Sequence, residues 1–130
     1  MTLEIPSPLL KEMEAHALTT YPNECCGFFF GKELVHNRQV TEVKAVVNSK
    51  TGDQRRRFEI DPLDYLQAER YALEQDLSLL GIYHSHPDHP ATPSQHDLKQ
   101  AVSFFSYIIL SVGSKKINEI TSWQLVNGEF

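Results

Sequence analysis

The segment that most constrains this chain runs from Leu77 to Asp97. Leu77 to Tyr83 is an apolar run short enough for a buried central strand, and it leads into His84-Ser85-His86. Three prolines then fall within residues 87–93, a stretch expected to be neither helix nor ladder strand. Ser94 opens a helix with Leu98, Ala101, Val102 and Phe105 on one face. A fold built on this segment has to bring a central strand, a stiff loop and a helix start within reach of one another.

The flanking sequence supplies partners for that strand. Ser7-Pro8 followed by Leu9, Leu10, Met13, Ala17 and Leu18 predicts a capped amphipathic helix to about Thr20. Cys26-Gly27-Phe28-Phe29-Phe30-Gly31 reads as a buried strand, Val40 to Val47 as a second and Phe58 to Ile60 as a third. Asn48 to Gln54 is polar and reads as a loop, and Asp61-Pro62 caps a helix carrying Leu63, Leu66, Ala68, Tyr71, Ala72 and Leu73. Tyr107 to Val112 and Glu119 to Val126 complete the strands. Helices and strands mix without strict alternation. The expected fold is α/β of the α+β kind, a mixed and largely antiparallel sheet flanked by helices in one domain over residues 1–130.

Composition removes several function classes. A net charge of −5 argues against a dedicated nucleic-acid binder. The basic run Arg55-Arg56-Arg57 reads as a solvated loop face. The apolar runs are too short to span a bilayer, and Met1-Thr2-Leu3-Glu4 lacks the features of a signal peptide. Cys25 and Cys26 are adjacent and have no third partner, which suits reduced thiols and a cytoplasmic location.

On an extended chain, residues i and i+2 point to the same side, so His84 and His86 can reach one ion. The proline-rich loop can return Asp97, in the first turn of the next helix, to the same ion. Two imidazoles and one carboxylate leave a fourth position open on tetrahedral zinc, the catalytic pattern rather than the structural one. A carboxylate is then expected as general base, but composition does not choose Glu24 over Glu33 or Glu59. Each residue also has a plainer reading. Ser94-x-x-Asp97 has the form of a capping box, and Cys25 and Cys26 read as small core residues or, in a rival mechanism, a nucleophile. His89 and His96 read as solvent-facing or supporting residues.

The full pattern resembles the JAMM (MPN-plus) metalloprotease family: an upstream glutamate, H-S-H, seven residues, then S-x-x-D. Glu24, His84-Ser85-His86, Pro87 to Pro93, and Ser94 with Asp97 fill it, and Pro22-Asn23-Glu24-Cys25-Cys26-Gly27 resembles the usual setting of the glutamate. The likeness runs from the first helix to the last strands. It implies the JAMM/MPN (cytidine-deaminase-like) fold, one Zn2+ per chain on His84, His86 and Asp97, Glu24 as general base and Ser94 as oxyanion donor. It further implies cleavage of a peptide or isopeptide bond at the tail of a ubiquitin-like or sulfur-carrier protein. Two alternatives carry different expectations. A silent MPN-type scaffold would not need these residues, and a zinc deaminase would need a P-C-x-x-C pair that this sequence lacks.

Overall fold

The structure is a computed structural model that describes residues 2–130. The elements are β1 (Thr2–Glu4), α1 (Ser7–Thr20), β2 (Cys26–Glu33), β3 (Asn37–Val46), α2 (Pro62–Glu74), β4 (Ser78–Pro87), α3 (Gln95–Gln100), β5 (Ser106–Val112) and β6 (Ile117–Gln124). The six strands form one sheet in the order β1-β3-β2-β4-β5-β6. The β2·β3, β2·β4 and β5·β6 pairs are antiparallel, while β1·β3 and β4·β5 are parallel. The mixed, largely antiparallel sheet expected from the sequence is present.

Strand alternation sorts the aromatic run onto both faces of the sheet. Phe29 joins Met13, Ala17, Leu80, Tyr83, Ile108 and Leu110 beneath α1. Phe28 and Phe30 join Ala68, Ala72, Ile82 and Tyr107 beneath α2. Each Leu, Ile, Met or Phe among them, fully buried, contributes about 1.5–3 kcal/mol of transfer free energy, so both faces need a covering helix. Gly81 marks a close approach of β4 to β5. A Cβ there would lie 1.8 Å from the Ser106 carbonyl oxygen and 2.6 Å from the Phe29 ring, so only glycine fits.

Several elements differ from the sequence expectation. Three-residue β1 was not foreseen; it exists because β3 starts at Asn37, three residues before the expected Val40, and offers a parallel partner from Asn37 to Gln39. Ser7 does not cap α1: Pro6 holds the cap position and no side chain caps the helix. Asp61 does cap α2, accepting from the Leu63 N–H at 2.8 Å. Phe58 to Ile60 is not a strand. Its ladder is replaced by a bond from the Ser49 N–H to the Glu59 carbonyl, and Phe58 turns its ring onto His84. Helix α3 stops at Gln100, so Ala101, Val102 and Phe105 lie beyond it.

Pro87, expected outside any ladder, is the last residue of β4 opposite Val112. The Ser85 N–H bonds the Cys25 carbonyl and the Asp88 N–H bonds the Val112 carbonyl, so backbone N–H groups alternate between the β2 side and the β5 side. At Pro87 the missing N–H would face the β2 side, beyond the end of that strand, where no ladder bond is lost.

Candidate metal centre

The centre forms where β4 outruns β2. Cys26, the first residue of β2, is opposite His84, so His86 projects past that strand on the face that carries α2 and α3. Both imidazoles are buried. The loop that follows is pinned to the sheet rather than free. The Ser111 hydroxyl bonds the His89 carbonyl at 2.6 Å, the Thr121 hydroxyl bonds the Ala91 carbonyl at 2.6 Å, and the Ala91 N–H bonds Glu119 at 3.2 Å. These ties return the chain to Ser94, where the capping box closes. The Ser94 hydroxyl accepts from the Asp97 N–H at 3.0 Å, and the Asp97 carboxylate accepts from the Ser94 N–H at 2.9 Å.

His84, His86 and Asp97 converge. The two Nε2 atoms lie 3.1 Å apart, and Asp97 Oδ2 is 3.1 Å from His86 Nε2 and 3.4 Å from His84 Nε2. Ligands about 2.05 Å from a tetrahedral zinc are separated by roughly 3.3 Å, so the triangle matches one ion. Hydrogen bonding alone does not satisfy it, because two imidazole nitrogens compete for a single carboxylate oxygen while facing each other. The far nitrogen of His86, Nδ1, is 2.8 Å from the Pro90 carbonyl, which places the proton there and turns the Nε2 lone pair to the centre. The donor set therefore fits zinc. Burial would raise the Asp97 carboxyl, but the two imidazoles and the Ser94 N–H outweigh it and hold Asp97 below the usual carboxylate range. Burial pushes the His84 imidazole down, toward the neutral form that a metal requires.

Glu24 precedes β2 and is 2% exposed. Its position is fixed from both sides. Its own N–H bonds the Gln54 carbonyl at 2.7 Å, and its carbonyl accepts from Asn48 Nδ2 at 3.0 Å. The next residue, Cys25, donates its N–H to the Ser85 hydroxyl at 2.8 Å, locking the segment to the strand that carries the histidines. A Glu24 carboxylate oxygen lies within 4.8 Å of ring nitrogens of His86 and His89. Burial, aided by the Asp97 charge and opposed by Arg57, pushes the Glu24 carboxyl up to about 9.

The sequence reading undervalued three residues. His89 is exposed, but it stacks on His86 with ring centroids 4.1 Å apart and an interplanar angle of 19°. His96 is half-buried and borders a cavity beside His84 and Asp97. Ser85, between the two histidines, anchors the glutamate segment. Its only sequence signal was alternation, which sends it to the opposite face. The thiols of Cys25 and Cys26 are pushed up by burial to about 11 and about 12, which makes the rival cysteine nucleophile inert near neutral pH. Arg55, Arg56 and Arg57 are exposed, as expected, and border a cavity that reaches His86 and Ser94.

Known proteins resemble this chain over most of its length. Residues 6–126 match the family model described as prokaryotic homologs of the JAB domain. The chain belongs to that family. It is 37% identical over 109 residues to a probable TtuB-protein conjugate cleaving protease of Thermus thermophilus, covering 84% of this chain and 70% of that one. It is 33% identical to a desampylase of Pyrococcus furiosus, covering 95% and 81%. It is 30% identical to a CysO-cysteine peptidase of Mycobacterium tuberculosis, covering 97% and 84%. A solution structure of a Desulfitobacterium hafniense protein superposes with a TM-score of 0.76 at 32% identity, covering 85% of this chain and 75% of that one. No helix among the described residues of this JAB-family chain is long and apolar enough to cross a membrane.

Proposed function

We propose that this chain is a zinc-dependent hydrolase that cuts a peptide or isopeptide bond at the C-terminal tail of a ubiquitin-like or sulfur-carrier protein. The observation that carries the reading is the triangle of His84, His86 and Asp97 with Glu24 beside it. The named activities of the relatives point the same way.

His84, His86 and Asp97 would hold one zinc ion. Zinc at this position supplies Lewis acidity and lowers the pKa of a water that it binds. Glu24 takes the proton of the attacking water and passes it to the departing amine. The elevated proton affinity of Glu24 belongs to the site without a cation; a divalent charge nearby favours the carboxylate and restores a base. The Ser94 hydroxyl accepts from the Asp97 backbone N–H, which leaves its own hydrogen free to meet an oxyanion. Strand β3 pairs with β1 only from Asn37 to Gln39, and its residues Lys44 to Val46 border a cavity together with Glu24. An extended tail can add to that edge through main-chain hydrogen bonds.

The test is to incubate the zinc-loaded chain with ubiquitin-fold proteins bearing C-terminal extensions and to read the products by intact mass. Loss of the extension at one bond, abolished by chelation, is the expected result. Intact substrates across the set would overturn the reading.

A further inference from the structure

The net charge is −5, yet the loop between β3 and α2 carries Arg55, Arg56 and Arg57 in succession. All three are exposed, and all three border one cavity of about 670 Å³ together with His86 and Ser94. Their charge is poorly compensated. Among the described residues, Arg55 and Arg57 pair with no carboxylate, and Arg56 only approaches Asp53, at 3.9 Å. The single carboxylate on the cavity wall, Asp88, already accepts from the Tyr21 hydroxyl at 2.6 Å.

The loop is tied to the centre. Asn48 Nδ2 donates to the Arg57 carbonyl at 3.1 Å and to the Glu24 carbonyl at 3.0 Å. The Gln54 carbonyl accepts from the Glu24 N–H at 2.7 Å, and the Gln54 amide donates to the carbonyls of Asn48 and Lys50 at 3.0 and 2.9 Å. None of these bonds uses a guanidinium group. The same crossing divides two cavities. Thr20, Glu24 and Gln54 border the cavity at the β3 edge, while Tyr21, Pro22 and Arg55 border the arginine cavity. A substrate whose tail lies along the β3 edge, with its scissile bond at the centre, continues toward the arginines.

We propose that the arginine cavity docks the polypeptide on the departing side of the scissile bond, and that it selects acidic residues flanking a modified lysine. The proposal rests on the hydrolase reading above and names the chemistry of its substrate beyond the bond. Guanidinium groups match carboxylates in a planar, two-bond geometry. Exposed ion pairs are individually weak, so selection comes from several acting together. The volume lies within the range of about 300–1,000 Å³ for ligand cavities, which suits a few side chains rather than a folded domain. Overall charge repels an acidic protein, so a preference for one has to come from this loop.

The experiment uses the full zinc-loaded chain and a ubiquitin-fold protein ending in Gly-Gly, joined by an isopeptide bond to the central lysine of a short peptide. Residues on both sides of that lysine are glutamate in one conjugate and arginine in the other. The native chain should favour the glutamate conjugate by about tenfold in kcat/KM, the sum of a few exposed ion pairs. Arg55→Glu with Arg56→Glu should invert that order; Arg57 stays in place because its charge also acts on Glu24. Each enzyme is judged by the ratio of its two rates, which a partial loss of folded protein does not change. Raising salt from about 0.1 M to about 1 M shortens the screening length from about 10 Å to about 3 Å and should bring the native ratio toward one. Independently of turnover, fluorescence anisotropy on the Glu24→Gln chain should show the same preference in Kd. A native ratio near one, with cleavage proceeding, overturns the docking site and leaves the hydrolase reading intact. A preference that survives in the double variant overturns it too, since the selecting charges then lie elsewhere. So does a preference reproduced by glutamates placed in the carrier ahead of Gly-Gly, which puts the selection on the other side of the bond. Failure to cut either conjugate overturns the hydrolase reading and, with it, the role of the cavity.

Discussion

Strand β4 presents two faces that solve the burial of polar groups in opposite ways. On the α1 face, Tyr83 and Ser85 are both buried and both paired: the Tyr83 hydroxyl is 2.7 Å from His16 Nδ1, and the Ser85 hydroxyl accepts from the Cys25 N–H. On the α2 face, one residue out of phase, His84 and His86 crowd a single aspartate oxygen, and one imidazole nitrogen has no partner. The first face is a finished core. The second is incomplete without something more, and polar groups left in that condition are expected where a ligand binds. A period of two along one strand is enough to keep the two tasks apart.

The largest effect should come from the face that carries the centre. Replacing both histidines, His84→Ala with His86→Ala, should reduce zinc from one per chain to none by elemental analysis and abolish turnover. If zinc stays at one per chain, the ligand assignment is wrong. Next, Glu24→Gln should lower kcat by about 10²–10⁴-fold while zinc content and the circular dichroism spectrum hold, because only proton transfer is removed. Unchanged turnover would instead remove Glu24 from the proton transfer.

A smaller effect concerns pH in the metal-free chain. Burial holds the folded Glu24 carboxyl up at about 9, against 4.5 for an unperturbed glutamate. Between those values the folded state keeps a proton that the unfolded state has lost, so this contribution is full below the lower value and fades as pH rises toward the upper one. Urea unfolding should show a loss on the order of 4 kcal/mol between pH 5 and pH 8, and Glu24→Gln should flatten that slope. A wild-type slope equal to that of the variant would break the argument.

On the finished face the effects are about stability. Ser85→Ala leaves the buried Cys25 N–H unpaired and should cost about 1–3 kcal/mol by denaturant midpoint. It should also lower kcat, because Cys25 adjoins the base. Tyr83→Phe should cost only about 1 kcal/mol and leave kcat alone, since the Tyr83 hydroxyl meets His16 and no residue of the centre. A large fall in kcat for Tyr83→Phe would show that the two faces are not separate.

Legibility followed the range of the interactions. Helices α1 and α2, strands β2 and β5 and the Ser94–Asp97 box were readable because each is written in a few consecutive residues. Short β1 carries no period of its own and exists only through its pairing with Asn37 to Gln39. Phe58 to Ile60 has strand-like composition, yet Phe58 stacks on His84 with centroids 4.6 Å apart instead of joining a ladder. Composition favours side-chain burial and does not say which partner provides it.

By itself, the sequence determined the kinds of ligand and their spacing: two imidazoles two residues apart on one strand, and a carboxylate in the first turn of the helix that follows. Periodicity and capping are local, so these features could be read without a fold. Only the tertiary structure decided that Glu24 is buried within reach of His86, that His89 stacks on that imidazole, and that His84 and His96 each keep a buried nitrogen without a partner. Those outcomes depend on pairings and packing between residues far apart in the chain, whose energies no local pattern records.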